Sequence, residues 1–200
     1  LQGTFIMVST YVLFYIMTAF AQVYSKSPAK LSEFGHPQGL GIPANTFTGF
    51  LMVSAVVFGA FISFSGIYAD KIGRRRFLIW VTFAMLAFGL LMPQFLTHGS
   101  PASVLAFLII GMALMGMTFG PMAALLPELF PTEVRYSGAS LAYNFAAIIG
   151  ASIATLVAIE LNAYYGIIGV GLYLAANCVL TLLALNSTHE TKDVDLVDTQ

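Results

Sequence analysis

The chain has 200 residues, of which 58% are hydrophobic and 8% are charged, with a formal net charge of −1. Soluble domains carry roughly 25% charged residues, so the composition excludes an ordinary water-soluble domain, and a mean hydropathy of +0.87 agrees. The near-zero net charge leaves no basic footprint for nucleic acid.

A membrane-spanning helix needs about 20 mostly apolar residues. Six segments qualify, near 3–24, 46–69, 77–97, 102–126, 138–160 and 165–187, followed by a polar tail over 188–200. No Lys or Arg interrupts any of them. The runs are too long for barrel strands and lack their period of two. The expectation is an all-α membrane protein, a bundle of six transmembrane helices. The chain starts on Leu1, already beside an apolar segment, which suggests a piece of a longer protein.

In the first span, Tyr11, Tyr15, Thr18 and Gln22 are spaced to share one helix face. Such a stripe either lines a polar path or anchors the helix at the interface and to its neighbours. The loop over 25–45 holds Pro28, Pro37, Pro43 and several glycines, and reads as structured but irregular. Next comes GIYADKIGRRR, Gly66 to Arg76, with four of the eight basic residues (Lys71, Arg74, Arg75 and Arg76) in six positions. Asp70 sits at a helix end, where a carboxylate suits a neighbouring helix N-terminus. Gly73 lies in the turn, where a positive φ is tolerated.

Pro93 in the third span and Pro121 in the fourth each remove a backbone hydrogen bond and bend a helix. The fourth also holds Gly116 and Gly120, a weak close-packing signal. The following loop carries Glu128, Glu133 and Arg135. In the fifth span Gly138, Ala142, Ala146, Gly150, Ala154 and Ala158 recur every four residues, a small-residue stripe for close helix approach. Asn144 falls almost opposite Ala142 and Ala146. It is a candidate for a substrate or gating contact, or equally for an interhelical hydrogen bond. No acidic residue lies mid-span, and Glu160 is near an end.

Six of the eight basic residues, Lys71, Arg74, Arg75, Arg76, Arg135 and Lys192, fall on one side of this topology; Lys26 and Lys30 fall on the other. The basic side is cytoplasmic by the positive-inside rule, which puts both ends of the chain in the cytoplasm. Cys178 is alone in an apolar run and cannot pair within the chain. His36, His98 and His189 lie in separate loops without an HExxH pattern. No metal or cofactor is expected. No nucleophile–base pair marks an enzyme.

The stretch Gly66 to Arg76 resembles the G-x-x-x-D-R/K-x-G-R-R-x signature of the major facilitator superfamily, and it falls, as there, between the second and third spans of a six-helix half. PELFPTEVRYSGASLAYN, residues 127 to 144, resembles the P-x-x-F-P-T-x-x-R-Y-S loop between the tenth and eleventh helices of its metabolite:proton symporters. Sugar porters have a related loop. HETKDVDL, His189 to Leu196, is similar to the C-terminal P-E-T-K end, with His189 in place of the proline.

The resemblance implies the C-terminal half of a twelve-helix transporter, helices seven to twelve, inactive without its partner half. The Tyr11 stripe then belongs to the seventh helix, which lines the central cavity. It also implies secondary active transport in the bacterial inner membrane, of a small polar metabolite (an organic acid, a shikimate-like compound, or betaine or proline). Coupling would be to protons, through residues of the other half. A sugar porter, a drug exporter or a non-transporting scaffold or receptor are the alternatives. The inner loops suggest a gate: Gly66, Asp70, Lys71, Gly73 and Arg74 to Arg76 share a membrane face with Glu128 and Arg135, and a charge network there would hold that side closed. Ordinary exposed loop charges are the plainer account.

Overall fold

The computed structural model describes residues 2–97, 99–148, 150 and 153–187. The expected tail over 188–200, with His189 and Lys192, lies outside the described residues, as does His98. Among the described residues the chain is helical, with one isolated bridge, Leu31 to Pro37, and no strand. In order come α1 (Gln2–Tyr15), a wide π turn (Ile16–Phe20), α2 (Ala21–Lys26), α3 (Ala44–Ile72) and α4 (Arg74–Leu96). Then follow α5 (Pro101–Glu128), a 3-10 turn (Thr132–Val134), α6 (Arg135–Ile148) and α7 (Ala154–Asn186).

Five stretches are long and apolar enough to cross a membrane: Gly3–Lys26, Ala44–Ile72, Arg74–Leu96, Pro101–Glu128 and Ala154–Asn186. The first runs through the π turn without a break. The segment near 138–160 straddles the end of α6 and the start of α7. The segment near 165–187 follows a break inside α7, where Gly166 adopts φ 69 and ψ −168. That backbone is open to glycine and strained for other residues.

The helix ends follow local chemistry. Gly73, with φ 101, ends α3 and starts α4, so two long helices meet across one residue. The Ser100 side chain accepts from the Ser103 N–H at 3.1 Å and caps α5, with Pro101 in its first turn. Pro93 and Pro121 lie inside helices that continue past them.

Helix α1 is the hub. Two-thirds of its apolar window is buried (67%), against 11% for α3, which lies at the edge of the bundle. α1 packs on α7, α6 and α5; α4 packs on α7 and α5; α3 packs mainly on α5. Val12 and Leu13 of α1 and Ile16, Met17 and Phe20 of the π turn enter one core with Phe88 and Met92 of α4, Phe107 and Met115 of α5, and Val170 and Leu174 of α7. Buried Thr181 ties α7 to α1: its hydroxyl donates to the Phe5 carbonyl at 2.8 Å and accepts from the Ser9 N–H at 3.4 Å.

Small residues bring the helices close. A Cβ on Gly116 would stand 2.5 Å from the Phe58 carbonyl oxygen, and one on Gly120 would stand 2.2 Å from Ser65 Oγ. The Gly116 and Gly120 pair is therefore the seam between α5 and α3. Gly89 and Gly171 do the same for α4 and α7. The stripe of the fifth segment faces α1: Ala142, Ala146, Gly150, Ala154 and Ala158 are all buried, and a Cβ on Gly150 would meet Tyr11.

The outer surface of α4 and α7 is apolar, with Trp80, Phe83, Leu90, Leu172 and Leu183 exposed. A surface of this kind is expensive in water and suited to hydrocarbon. The segment over 27–43 is ordered. Ser32 Oγ donates to the Ala163 carbonyl (2.9 Å), Asn162 Nδ2 donates to the Pro37 carbonyl (3.2 Å), and Phe34 packs on Tyr164 with ring centroids 4.7 Å apart. This strap thus lies across the turn that leads to the α7 break, with His36 beside Gly166.

Candidate functional site

At one end of the bundle the start of α4 and the ends of α5 and α7 come together. Arg74 to Arg76 fill the first turn of α4, where the helix dipole disfavours cations, and Glu128 ends α5, where it disfavours anions. Two of the arginines find compensation. Arg74 Nη1 donates to Glu128 Oε1, and Arg74 Nε donates to Asp70 Oδ1 at 3.0 Å. Arg75 Nε donates to the Leu185 carbonyl at 2.8 Å, and its Nη2 reaches the carbonyl and side chain of Asn186 at 3.3 and 3.2 Å. These carbonyls lie at the negative end of α7. Arg76 is exposed.

The Arg74–Glu128 pair is largely sheltered, with side-chain exposures of 19% and 18%, whereas Asp70 is 62% exposed. Pairs shielded in this way are screened less than surface pairs. The hydrogen bonds and opposite charges of Glu128 and Asp70 offset the cost of sheltering the Arg74 guanidinium. The second oxygen of Glu128 and Nε of Arg135 are buried with no hydrogen-bond partner.

The remaining motif residues divide by place. Gly73 has the positive φ expected of it. A Cβ on Gly66 would meet nothing within 4 Å, yet the Gly66 N–H lies in the α3–α5 seam, 2.9 Å from where a Gly120 Cβ would stand. Lys71 is exposed in the last turn of α3. Arg135 reaches Thr132 at 3.5 Å and forms no ion pair with Glu128. Asp70 meets the next helix of its own chain, through Arg74.

The face away from α4 and the 167–186 part of α7 has a different composition. Here Tyr11, Phe14 and Tyr15 of α1 and Thr18 of the π turn are half-buried, and Gln22 of α2 is exposed. Thr18 Oγ1 donates to the Phe14 carbonyl at 2.7 Å, inside the π turn. Wide turns of this kind recur at functional sites. Asn144 is exposed on α6, and its amide donates to the Ser140 carbonyl one turn back at 2.8 Å. It does not stitch two helices of this bundle together.

Two rings join this face that sequence reasoning did not single out. Phe119 of α5 meets Tyr11 and Phe58 of α3 edge to face. Nothing in the sequence sets them apart from the other phenylalanines; only the glycine seam of α5 brings α3 near enough. The role of Arg75 was equally hidden, because its partners, two backbone carbonyls and the Asn186 side chain, lie more than 100 positions away.

A bundle of long apolar helices, packed through glycine seams, with its basic loop locked at one end and one polar face, defines a polytopic membrane protein of the transporter kind. The chain belongs to the sugar (and other) transporter family, whose pattern matches residues 37–200, and so to the major facilitator transporters. A Haemophilus influenzae protein named for metabolite transport is 69% identical over 196 residues, covering 98% of this chain and 45% of that protein. The inner membrane metabolite transport protein YhjE of Escherichia coli is 49% identical over 195 residues, covering 97% of this chain and 43% of its own length. A proline/betaine transporter of Salmonella typhimurium is 27% identical over 190 residues, covering 93% and 35%. The chain thus spans less than half the length of these relatives. No solved structure gives a significant match. These relatives point to a transporter rather than an enzyme.

Proposed function

We propose that this chain is the C-terminal half of a twelve-helix secondary transporter that carries a small polar metabolite by alternating access. In this reading six spans, near 3–24, 46–69, 77–97, 102–126, 138–160 and 165–187, cross the inner membrane, with both ends and the 188–200 tail in the cytoplasm. The polar face of Tyr11, Tyr15, Thr18, Gln22 and Asn144 lines half of the path. The other half of the fold covers that face and supplies the proton-coupling groups, since no carboxylate lies mid-span here. The substrate is an organic acid, a shikimate-like compound, or a betaine or proline.

The observation that carries this reading is the Arg74–Glu128 pair. It sets one charge at each of two helix ends against the local dipole, so each charge is held in place by the other. A lock of this kind is stable while closed and easily released when the helix ends part. The test is uptake of a metabolite panel by vesicles carrying the full-length protein, with and without an imposed proton gradient. Uptake of one substrate class that falls when the gradient is dissipated is the expected result. Gradient-independent uptake removes the coupling, and the absence of all uptake removes the transport reading.

A further inference from the structure

The outer surface of the bundle carries a groove at its basic end. It runs between α4 and the last turns of α7, has a volume of about 250 Å³, and is lined by Ile79, Phe83, Val179, Leu182, Leu183 and Asn186. The four α7 residues stand at i, i+3, i+4 and i+7, on one helix face, and the two α4 residues stand one turn apart. Phe83, Val179 and Leu183 are exposed, so the groove opens away from the core.

Asn186 marks the end of the groove that meets the arginines. Its side chain accepts from Arg75 Nη2 at 3.2 Å, which sets the first turn of α4 beside it. Arg75 comes four residues before Ile79, and Arg76 comes seven before Phe83, so the two arginines flank the groove line on α4. Arg75 is turned to the α7 carbonyls. Arg76 is exposed and forms no ion pair among the described residues. It stands at the positive pole of α4, where a cation without a counter-charge is disfavoured and an anion is favoured. Trp80, one turn on from Arg76, is 76% exposed, and Trp favours the boundary between headgroups and hydrocarbon.

On helices that span a membrane, this face meets lipid. An apolar groove that ends on an uncompensated cation fits a molecule with a phosphate at one end and hydrocarbon at the other. A soluble anion would leave the apolar walls uncovered. The 188–200 tail offers Asp193, Asp195 and Asp198, but no run of more than two apolar residues to lie along the groove. We propose that this groove holds one anionic phospholipid, with its phosphate on Arg76 and the first part of an acyl chain along Ile79, Phe83, Val179 and Leu183. The lipid bridges α4 and α7, and nothing in the site depends on which solute the protein carries.

The test is lipid binding to the full-length protein, delipidated in a neutral detergent and titrated with phosphatidylglycerol or phosphatidylcholine of equal chains. Native mass spectrometry counts the bound lipid. One saturable phosphatidylglycerol is expected, held about fivefold more tightly than phosphatidylcholine, the attraction of about one arginine for an anionic headgroup. Arg76→Gln removes that preference. Arg76→Lys keeps most of it, which separates lost charge from lost folding. Val179→Trp fills the groove from an exposed position and weakens both lipids by about tenfold. Equal affinity for the two lipids, or a preference that survives Arg76→Gln, overturns the inference. Binding indifferent to Val179→Trp also overturns it, because it marks diffuse attraction to the basic end. Displacement of phosphatidylglycerol by inorganic phosphate makes this a free-anion site instead. Lipid binding that emerges only after removal of residues 188–200 assigns the groove to the tail.

Discussion

The Arg75 guanidinium donates to the Leu185 carbonyl across 2.8 Å, so the loop between α3 and α4 grips the last turn of α7. With Arg74 on Glu128, adjacent arginines tie the start of α4 to the ends of two other helices. The basic run thus joins the ends of three helices at one end of the bundle, a tie that the proposed rocking of this half as a unit would use.

Removing that grip has a measurable cost. Arg75→Ala leaves the α7 carbonyls without a charged donor and is expected to cost about 1–2 kcal/mol, the lower range for a charge-assisted hydrogen bond at a half-exposed site. Arg75→Lys recovers part of this, because a point charge replaces the fork that reaches two residues. Thermal unfolding in detergent reads both. An Arg75→Ala protein that melts with wild type would mean that α7 is held by its packing alone.

The latch is tested by charge exchange in the full-length protein. Glu128→Arg and Arg74→Glu each place like charges together and are expected to lower transport. Combining them restores opposite charges and regains a clear part of the activity, with a coupling of about 0.5–3 kcal/mol for neighbouring residues. If the double variant carries no more substrate than either single one, the two residues act separately and the latch reading fails.

How far the sequence reaches depends on the range of the interaction. The helical membrane fold was legible because burial in lipid demands long apolar runs, and each run carries its own signal. Gly73 was legible because its conformation is a local property of one turn. The seam at Gly116 and Gly120 was only hinted at, since a glycine pair does not say which helix it receives. The Phe119 cluster, the Arg75 grip and the docking of the strap could not be seen, because each joins segments far apart in the chain. The network drawn among Glu128, Arg135 and the arginines resolves into narrower pairings for the same reason: the loop charges were known, but not which helix ends meet.

The α3–α5 seam gives a graded prediction. A Cβ on Gly120 would stand 2.2 Å from Ser65 Oγ, 2.6 Å from the Ile62 carbonyl oxygen and 2.9 Å from the Gly66 nitrogen. Gly120→Ala is therefore expected to destabilise the bundle by about 1–3 kcal/mol, as overpacking does. Adding Ser65→Ala removes the hydroxyl clash and also the bond from Ser65 Oγ to the Gly116 carbonyl at 3.2 Å. The relief is partial, because the other two close atoms are backbone. Full recovery in the double variant, read by thermal unfolding, would show that α3 shifts freely along α5 and that the seam is not tight.

The strap over 27–43 is held to the turn before the α7 break largely by Asn162, which is buried, donates to the Pro37 carbonyl and accepts from Gln38 Nε2 through its own carbonyl at 3.4 Å. Asn162→Ala removes the side-chain bond and leaves the backbone contact, the Ser32–Ala163 bond and the Phe34–Tyr164 packing in place. Losing one neutral hydrogen bond of about 1 kcal/mol raises local opening about fivefold. Protease added to the detergent-solubilised protein should then cut the strap about fivefold faster, while cleavage after Gln94→Ala, an exposed site on α4, stays at the wild-type rate. Unchanged cleavage in Asn162→Ala would assign the docking to Ser32 and the aromatic pair. Combining Asn162→Ala with Ser32→Ala then leaves the Gln38 contact to the Asn162 carbonyl and the Phe34–Tyr164 packing, and cleavage should rise above that of either single variant.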